Sequence, residues 1–156
     1  MCGIAGIIGG RPVSRLIYHS LFSVQHRGQS SAGMLMYDGN IHVIKEAGLV
    51  REVFDNEKKI DVPGNVGIGH TRYSTAGMDD IKSLSRNAQP EYLVNPFLGV
   101  VHNGNIFNYG EIGKITNRKP RNDCDVQCLL LPLADSLFKK ELSPDIIFKS
   151  LSLIHI

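Results

Sequence analysis

The run Cys2-Gly3-Ile4-Ala5-Gly6-Ile7-Ile8-Gly9-Gly10 constrains the fold more than any other stretch, because it puts a buried strand at the start of the chain. Residues 2–8 combine β-branched with small side chains, and the run closes on two glycines. It has no basic n-region and is too short in apolar residues for a signal peptide. The chain has 156 residues, 42% of them hydrophobic, which fits one ordinary domain with a real core and excludes wholesale disorder. A net charge of +2 is too small to argue for nucleic acid or an acidic membrane surface. No apolar run reaches the length of a spanning helix. Three cysteines, one of them at position 2, do not make a disulfide framework, so a reducing, cytoplasmic setting is the expectation.

Pro12 is placed to open a helix as its first residue, and Val13, Leu16, Ile17, Leu21 and Val24 follow helical spacing to about Gln25. Gly28 then reads as the C-terminal stop. Residues 32–37 and 41–45 read as strands of a hairpin turning at Asp38-Gly39-Asn40. Leu49, Val50, Val53 and Phe54 suggest a short helix, and residues 66–70 and 98–102 two more strands. The polar, poorly periodic stretch 77–95 reads as a long surface loop and a candidate lid. A weak helix is expected over 109–115. A stronger one starts near Asp125, carries Leu129, Leu130, Leu133 and Leu137, and should kink at Pro132. Ser143-Pro144 restarts a helix. The mixture predicts an α+β or layered α/β domain.

Removing Met1 would leave a cysteine whose thiol and α-amine share one residue. An α-amine has a reference pKa of about 8, so it can serve as the base that activates its own nucleophile. Four clusters add what an amide-hydrolysing site for an amino-acid substrate needs: Gln25–Gly33, Gly69–Gly77, His102-Asn103-Gly104-Asn105 and Asp123-Cys124-Asp125. Arginine grips an α-carboxylate through paired hydrogen bonds, and aspartate holds an α-ammonium. Asn103 and the Gly104 N–H are suited to stabilise a tetrahedral oxyanion. Each cluster has a plainer reading too: a solvated Arg72, turn residues at Asn103-Gly104, a helix cap at Asp125.

Taken together, Cys2-Gly3-Ile4, Gln25–Gly33, Gly69–Gly77 and His102–Asn105 resemble the class II, N-terminal-nucleophile glutamine amidotransferases. Within that class the chain is most similar to the glutaminase domain of amidophosphoribosyltransferase. Gln25-His26-Arg27-Gly28-Gln29, Tyr73 after Arg72, Ala88-Gln89-Pro90 and Asn108 carry that finer likeness; the glucosamine-6-phosphate synthase branch favours tyrosines around Arg-Gly and a tryptophan after the second arginine. The resemblance implies a four-layer αββα sandwich of the N-terminal-nucleophile hydrolase type. It implies Cys2 as nucleophile with its α-amine as base, and Asn103 and Gly104 as the oxyanion hole. Arg72 would take the glutamine α-carboxylate with Thr75 nearby, Asp125 the α-ammonium, and Arg27 and Gly28 would shape the pocket. Cys124-Asp125-Val126-Gln127 departs from the family's Ser-Asp-Ser/Thr-Glu, which leaves Asp123 as rival to Asp125. Cys124 and Cys128, four apart, read as packing thiols rather than metal ligands.

The implied reaction converts glutamine and water to glutamate and ammonia through a γ-glutamyl thioester. The ammonia would go to a phosphoribosyltransferase domain or chain, giving phosphoribosylamine for purine synthesis. No metal or cofactor is expected within this chain; full-length relatives use Mg2+ in the transferase domain, and some carry an iron–sulfur cluster. They also imply a homo-oligomer. The expected organisation is an incomplete glutamine amidotransferase domain over 1–150. The tail 151–156, Leu-Ser-Leu-Ile-His-Ile, matches what a common sequencing adapter encodes and is expected to be non-native. Lacking its last strands, such a sandwich would expose a sheet edge and be prone to aggregate. Two other readings remain: an amidotransferase subunit feeding a different synthase, such as one of glutamate-synthase type, and a non-catalytic glutamine-binding module.

Overall fold

The computed structural model describes residues 1–74, 80–106, 116 and 118–138. Two compact units divide the chain: Met1–Pro90 with Val101–Gly104, and Glu91–Val100 with the residues from Asn105 onward. Among the described residues no helix is long and apolar enough to cross a membrane.

The first unit is built on an antiparallel sheet of β1 (Gly3–Ile8), β2 (Ser31–Tyr37), β3 (Ile41–Ala47) and β4 (Val66–Arg72), in the order β1-β4-β2-β3. The expected hairpin joins β2 to β3, with Gly39 at φ +112°, where glycine carries no steric penalty. Helix α1 (Ser14–Ser23) lies on the face that carries Ala5, Ala32, Met34 and Met36, and it buries Ile17 and Leu21 completely. It can come this close because β4 offers glycines beneath it. A Cβ on Gly69 would stand 2.7 Å from Ile17 and 2.9 Å from Leu21. Short helices α2 (Val50–Val53) and α3 (Glu57–Ile60) follow; α2 closes the core with Val50, Val53 and Phe54.

Several expectations need correction. Pro12 is not the first helical residue: α1 starts at Ser14, because the Val13 N–H is drawn 3.0 Å to the Gly64 carbonyl and Val13 stays outside helical conformation. Helix α1 ends at Ser23 rather than near Gln25, and Gly28 closes the 3-10 turn Gln25–Arg27 that follows, in extended conformation. The polar stretch 77–95 is not a loop throughout. Asp80 caps helix α4 (Ile81–Arg86) by accepting from the Ser83 N–H at 2.6 Å. Ser85 Oγ accepts from the Ala47 N–H at 3.1 Å, tying α4 to edge strand β3. Asn87, Ala88 and Gln89 are buried behind it. Asp80, Ser85 and Gln89 bond through their side chains to backbone groups, which hides the structure from a periodicity argument.

In the second unit β5 (Glu91–Leu93) pairs with β6 (Leu98–Val100). Strand β5 lies inside the stretch expected to be loop, and β6 ends two residues short of the strand expected over 98–102. Helix α5 (Gln127–Phe138) packs Leu130, Leu131 and Ala134 against Leu93 and carries Pro132 in its interior. It starts two residues after Asp125, whose carbonyl accepts from the Cys128 N–H at 2.9 Å. The helix expected over 109–115, the Ser143-Pro144 restart, Thr75 and the tail 151–156 lie outside the described residues.

Candidate active site

Strands β1 and β4 pair with Gly3 opposite Thr71. One further step of that register sets Cys2 opposite Arg72, and β2 sets Ser31 on the other side of Arg72. These residues share the sheet face opposite α1, since directly paired residues point the same way. Side chains hold both backbone groups of Cys2. Its N–H donates to Asn103 Oδ1 at 2.9 Å, and its carbonyl accepts from Arg27 Nε at 2.9 Å. Two glycines make room. A Cβ on Gly3 would meet Thr71 Oγ1 and Val24 Cγ2 at 2.6 Å, and one on Gly28 would stand 2.5 Å from the Thr71 carbonyl oxygen. Gly28 therefore lets the turn bearing Arg27 lie directly on the backbone of Thr71 and Arg72.

Asn103 and Gly104 are exposed, and the residue before them is fastened. The His102 N–H donates to Gln89 Oε1 at 2.7 Å, and the His102 carbonyl lies 3.1 Å from His70 Nε2. A carbonyl only accepts, so His70 carries its proton on Nε2. Burial pushes the His70 pKa down to about 4, the His102 carbonyl works against that, and the Arg72 charge adds a smaller lowering. Ser31 Oγ, His70 Nδ1, Arg72 Nη1 and His102 Nδ1 are buried with no hydrogen-bond partner. Three of the seven such atoms among the described residues, those of Ser31, His70 and Arg72, lie on the Cys2 face, while the Thr71 hydroxyl lies on the other.

Of the residues singled out in the sequence, the first unit thus brings Cys2, Arg27, Gly28, Arg72, Asn103 and Gly104 together. Asp125 belongs to the second unit, half-buried, with Oδ2 accepting from the Ile106 N–H at 2.9 Å. Asp123 is exposed. Cys124 and Cys128 are buried, and burial, with the Asp125 charge as the lesser cause, raises the Cys128 thiol pKa. Among the described residues no group of three His, Cys, Asp or Glu could hold a metal ion. His70 and Gln89 went unassigned in the sequence. Both lie in motifs quoted above, but only tertiary contact reveals what they do.

No family model matches the chain. It is 38% identical to the amidophosphoribosyltransferase of Pasteurella multocida, over 99% of this chain and 32% of that protein. To the amidophosphoribosyltransferase of Escherichia coli it is 44% identical, over 73% of this chain and 22% of that one. A solved structure described as the allosteric regulatory enzyme of purine biosynthesis matches with TM-score 0.79 and 31% identity, over 97% of this chain and 33% of the other. Glutamine phosphoribosylpyrophosphate amidotransferase from B. subtilis, complexed with ADP and GMP, matches with TM-score 0.76 and 31% identity over the same shares. The chain spans about a third of the length of these relatives. In sequence and in fold it is homologous to the N-terminal, glutamine amidotransferase part of the amidophosphoribosyltransferases, with their α+β, N-terminal-nucleophile hydrolase fold.

Proposed function

We propose that this chain is the glutaminase part of an amidophosphoribosyltransferase, hydrolysing glutamine and supplying ammonia for phosphoribosylamine formation in purine biosynthesis. The observation that carries the reading is the 2.9 Å hydrogen bond from Cys2 N to Asn103 Oδ1. It uses the acceptor end of the amide, so the donor end is what Asn103 has left for a substrate oxygen. Once Met1 is removed, the Cys2 α-amine takes the thiol proton and Sγ attacks the glutamine side-chain carbonyl carbon. Asn103 Nδ2 and the Gly104 N–H stabilise the oxyanion. The proton passes to the leaving nitrogen, ammonia departs, and a water deprotonated by the same amine opens the thioester to glutamate.

Arg72, with a buried guanidinium nitrogen left unbonded, grips the α-carboxylate, and Thr75 is the second residue the family resemblance assigns to that end of glutamine. Arg27 fixes the Cys2 carbonyl, and Gly28 sets how closely its turn approaches. Asp125 takes the α-ammonium; its half-buried carboxylate, already oriented by the Ile106 amide, suits this better than the exposed Asp123. The hydrolysis uses the chain's own thiol and amine. The ammonia acceptor is a phosphoribosyltransferase domain, as the names of the relatives suggest.

Intact mass spectrometry before and after 6-diazo-5-oxo-norleucine tests this. The expected result is loss of Met1 and one adduct on Cys2 that Arg72→Ala abolishes. A folded chain that forms no adduct would instead be a non-catalytic glutamine-binding module.

A further inference from the structure

Resting on that glutaminase reading, we propose that His70 and Gln89 are positioning residues that clamp the backbone of His102 from both sides and thereby set the reach of Asn103 and Gly104. The two come from different places, His70 from β4 and Gln89 from the segment behind α4, and both are buried. Gln89 Oε1 holds the His102 N–H and His70 Nε2 holds the His102 carbonyl. Strand β6 ends at Val100, so these side chains supply at residue 102 the hydrogen bonds a sheet neighbour would otherwise give.

The clamp stands on a single row of the sheet. His70 pairs directly with Gly33, and a Cβ at Gly33 would overlap the Gln89 carbonyl oxygen, so Gln89 is seated on the strand residue next to His70. The His102 ring also lies over Gly104, where a Cβ would be 2.6 Å from Nε2. With residue 102 held at its N–H and its carbonyl, Asn103 has little freedom left in how it meets Cys2. Burial keeps the His70 imidazole neutral, and with Nε2 facing a carbonyl the ring carries its one proton there. Among the described residues no hydrogen bond joins His70 or Gln89 to Arg72, the group proposed to bind the α-carboxylate, and Arg72 reaches His70 through its charge. Losing the clamp therefore misplaces the oxyanion donors, an error that costs up to ~100-fold in rate for about 1 Å, and leaves substrate binding alone.

Glutaminase kinetics on the full chain give the test, with iodoacetamide alkylation of Cys2 as a control for the thiol itself. His70→Phe and Gln89→Leu should each lower kcat ~10-fold or more, keep the glutamine KM within about two-fold, and leave the alkylation rate unchanged. His70→Gln, which can put an N–H near the same place, and Gln89→Glu, which keeps an acceptor, should recover most of the loss. Unchanged kcat, equal changes in kcat and KM, or folded conservative variants that fail to rescue would each overturn the clamp. If His70→Phe does not fold, the two Gln89 variants carry the same comparison. If the unaltered chain hydrolyses no glutamine, the glutaminase reading fails, and hydrogen exchange judges the clamp separately. Faster exchange across 101–104 in Gln89→Leu, with β2 and β4 still protected, supports it; unchanged exchange refutes it.

Discussion

Asn103 has one acceptor and one donor end, and Cys2 engages the acceptor at 2.9 Å. Asn103→Asp keeps that contact and removes the donor, so kcat should fall ~100–1000-fold with little change in the glutamine KM. Asp125→Asn should do the reverse and raise KM, whereas Asp123→Asn should leave steady-state kinetics unchanged; the opposite pattern would transfer the ammonium role to Asp123. Gly28 shows how far a residue can be read ahead of its structure. The resemblance places it beside Cys2, but its reason, a Thr71 carbonyl 2.5 Å from where a Cβ would be, belongs to the packing of two distant segments. The neighbour there is backbone and cannot swing aside, so Gly28→Ala should cost ~1–3 kcal/mol in urea unfolding and reduce turnover as well. Cys2, Arg72 and Asn103 stand out as candidates in the sequence because the chemistry proposed for each lies in its own side chain. His70 and Gln89 act through the main chain of a third residue, and no local pattern encodes that.

Elements with a clean period were legible too. The β2–β3 hairpin announced itself by Asp38-Gly39 between extended runs, and α1 by Ile17 and Leu21 on one face. Helix α4 and strand β5 were not, because Asp80, Ser85 and Gln89 spend their polar atoms on backbone groups that the sequence does not show to be near. The seam between α1 and β4 has large side chains on one side and glycines on the other, and the two should respond differently to substitution. Ile17→Ala should destabilise by ~2–5 kcal/mol through the cavity it leaves. Gly69→Ala drives a methyl to within 2.7 Å of Ile17 and should cost ~1–3 kcal/mol by overpacking. Combining them should cost less than the sum, since each relieves the other, and thermal or urea unfolding of the three variants would measure that coupling.

On the scale of the whole molecule, His70 makes stability depend on pH. Its pKa is about 4 when folded, against an ordinary value of 6.5, so between those limits the unfolded chain binds the extra proton. Stability should therefore hold above about pH 6.5 and fall by about 3 kcal/mol as the pH drops toward 4. In His70→Gln that part of the slope should vanish, and urea midpoints at a series of pH values would show it. The pairing of β1 with β4 joins Gly3 to Thr71 across most of the first unit. Among the described strands β1 has no other neighbour, so it must wait for a partner that is made much later. On a ribosome adding ~5–20 residues per second, that wait lasts several seconds. Throughout it the first strand lacks the neighbour it pairs with, and only afterwards does β4 arrive to set Cys2 opposite Arg72. The first strand of this sheet to be made is thus among the last to be paired.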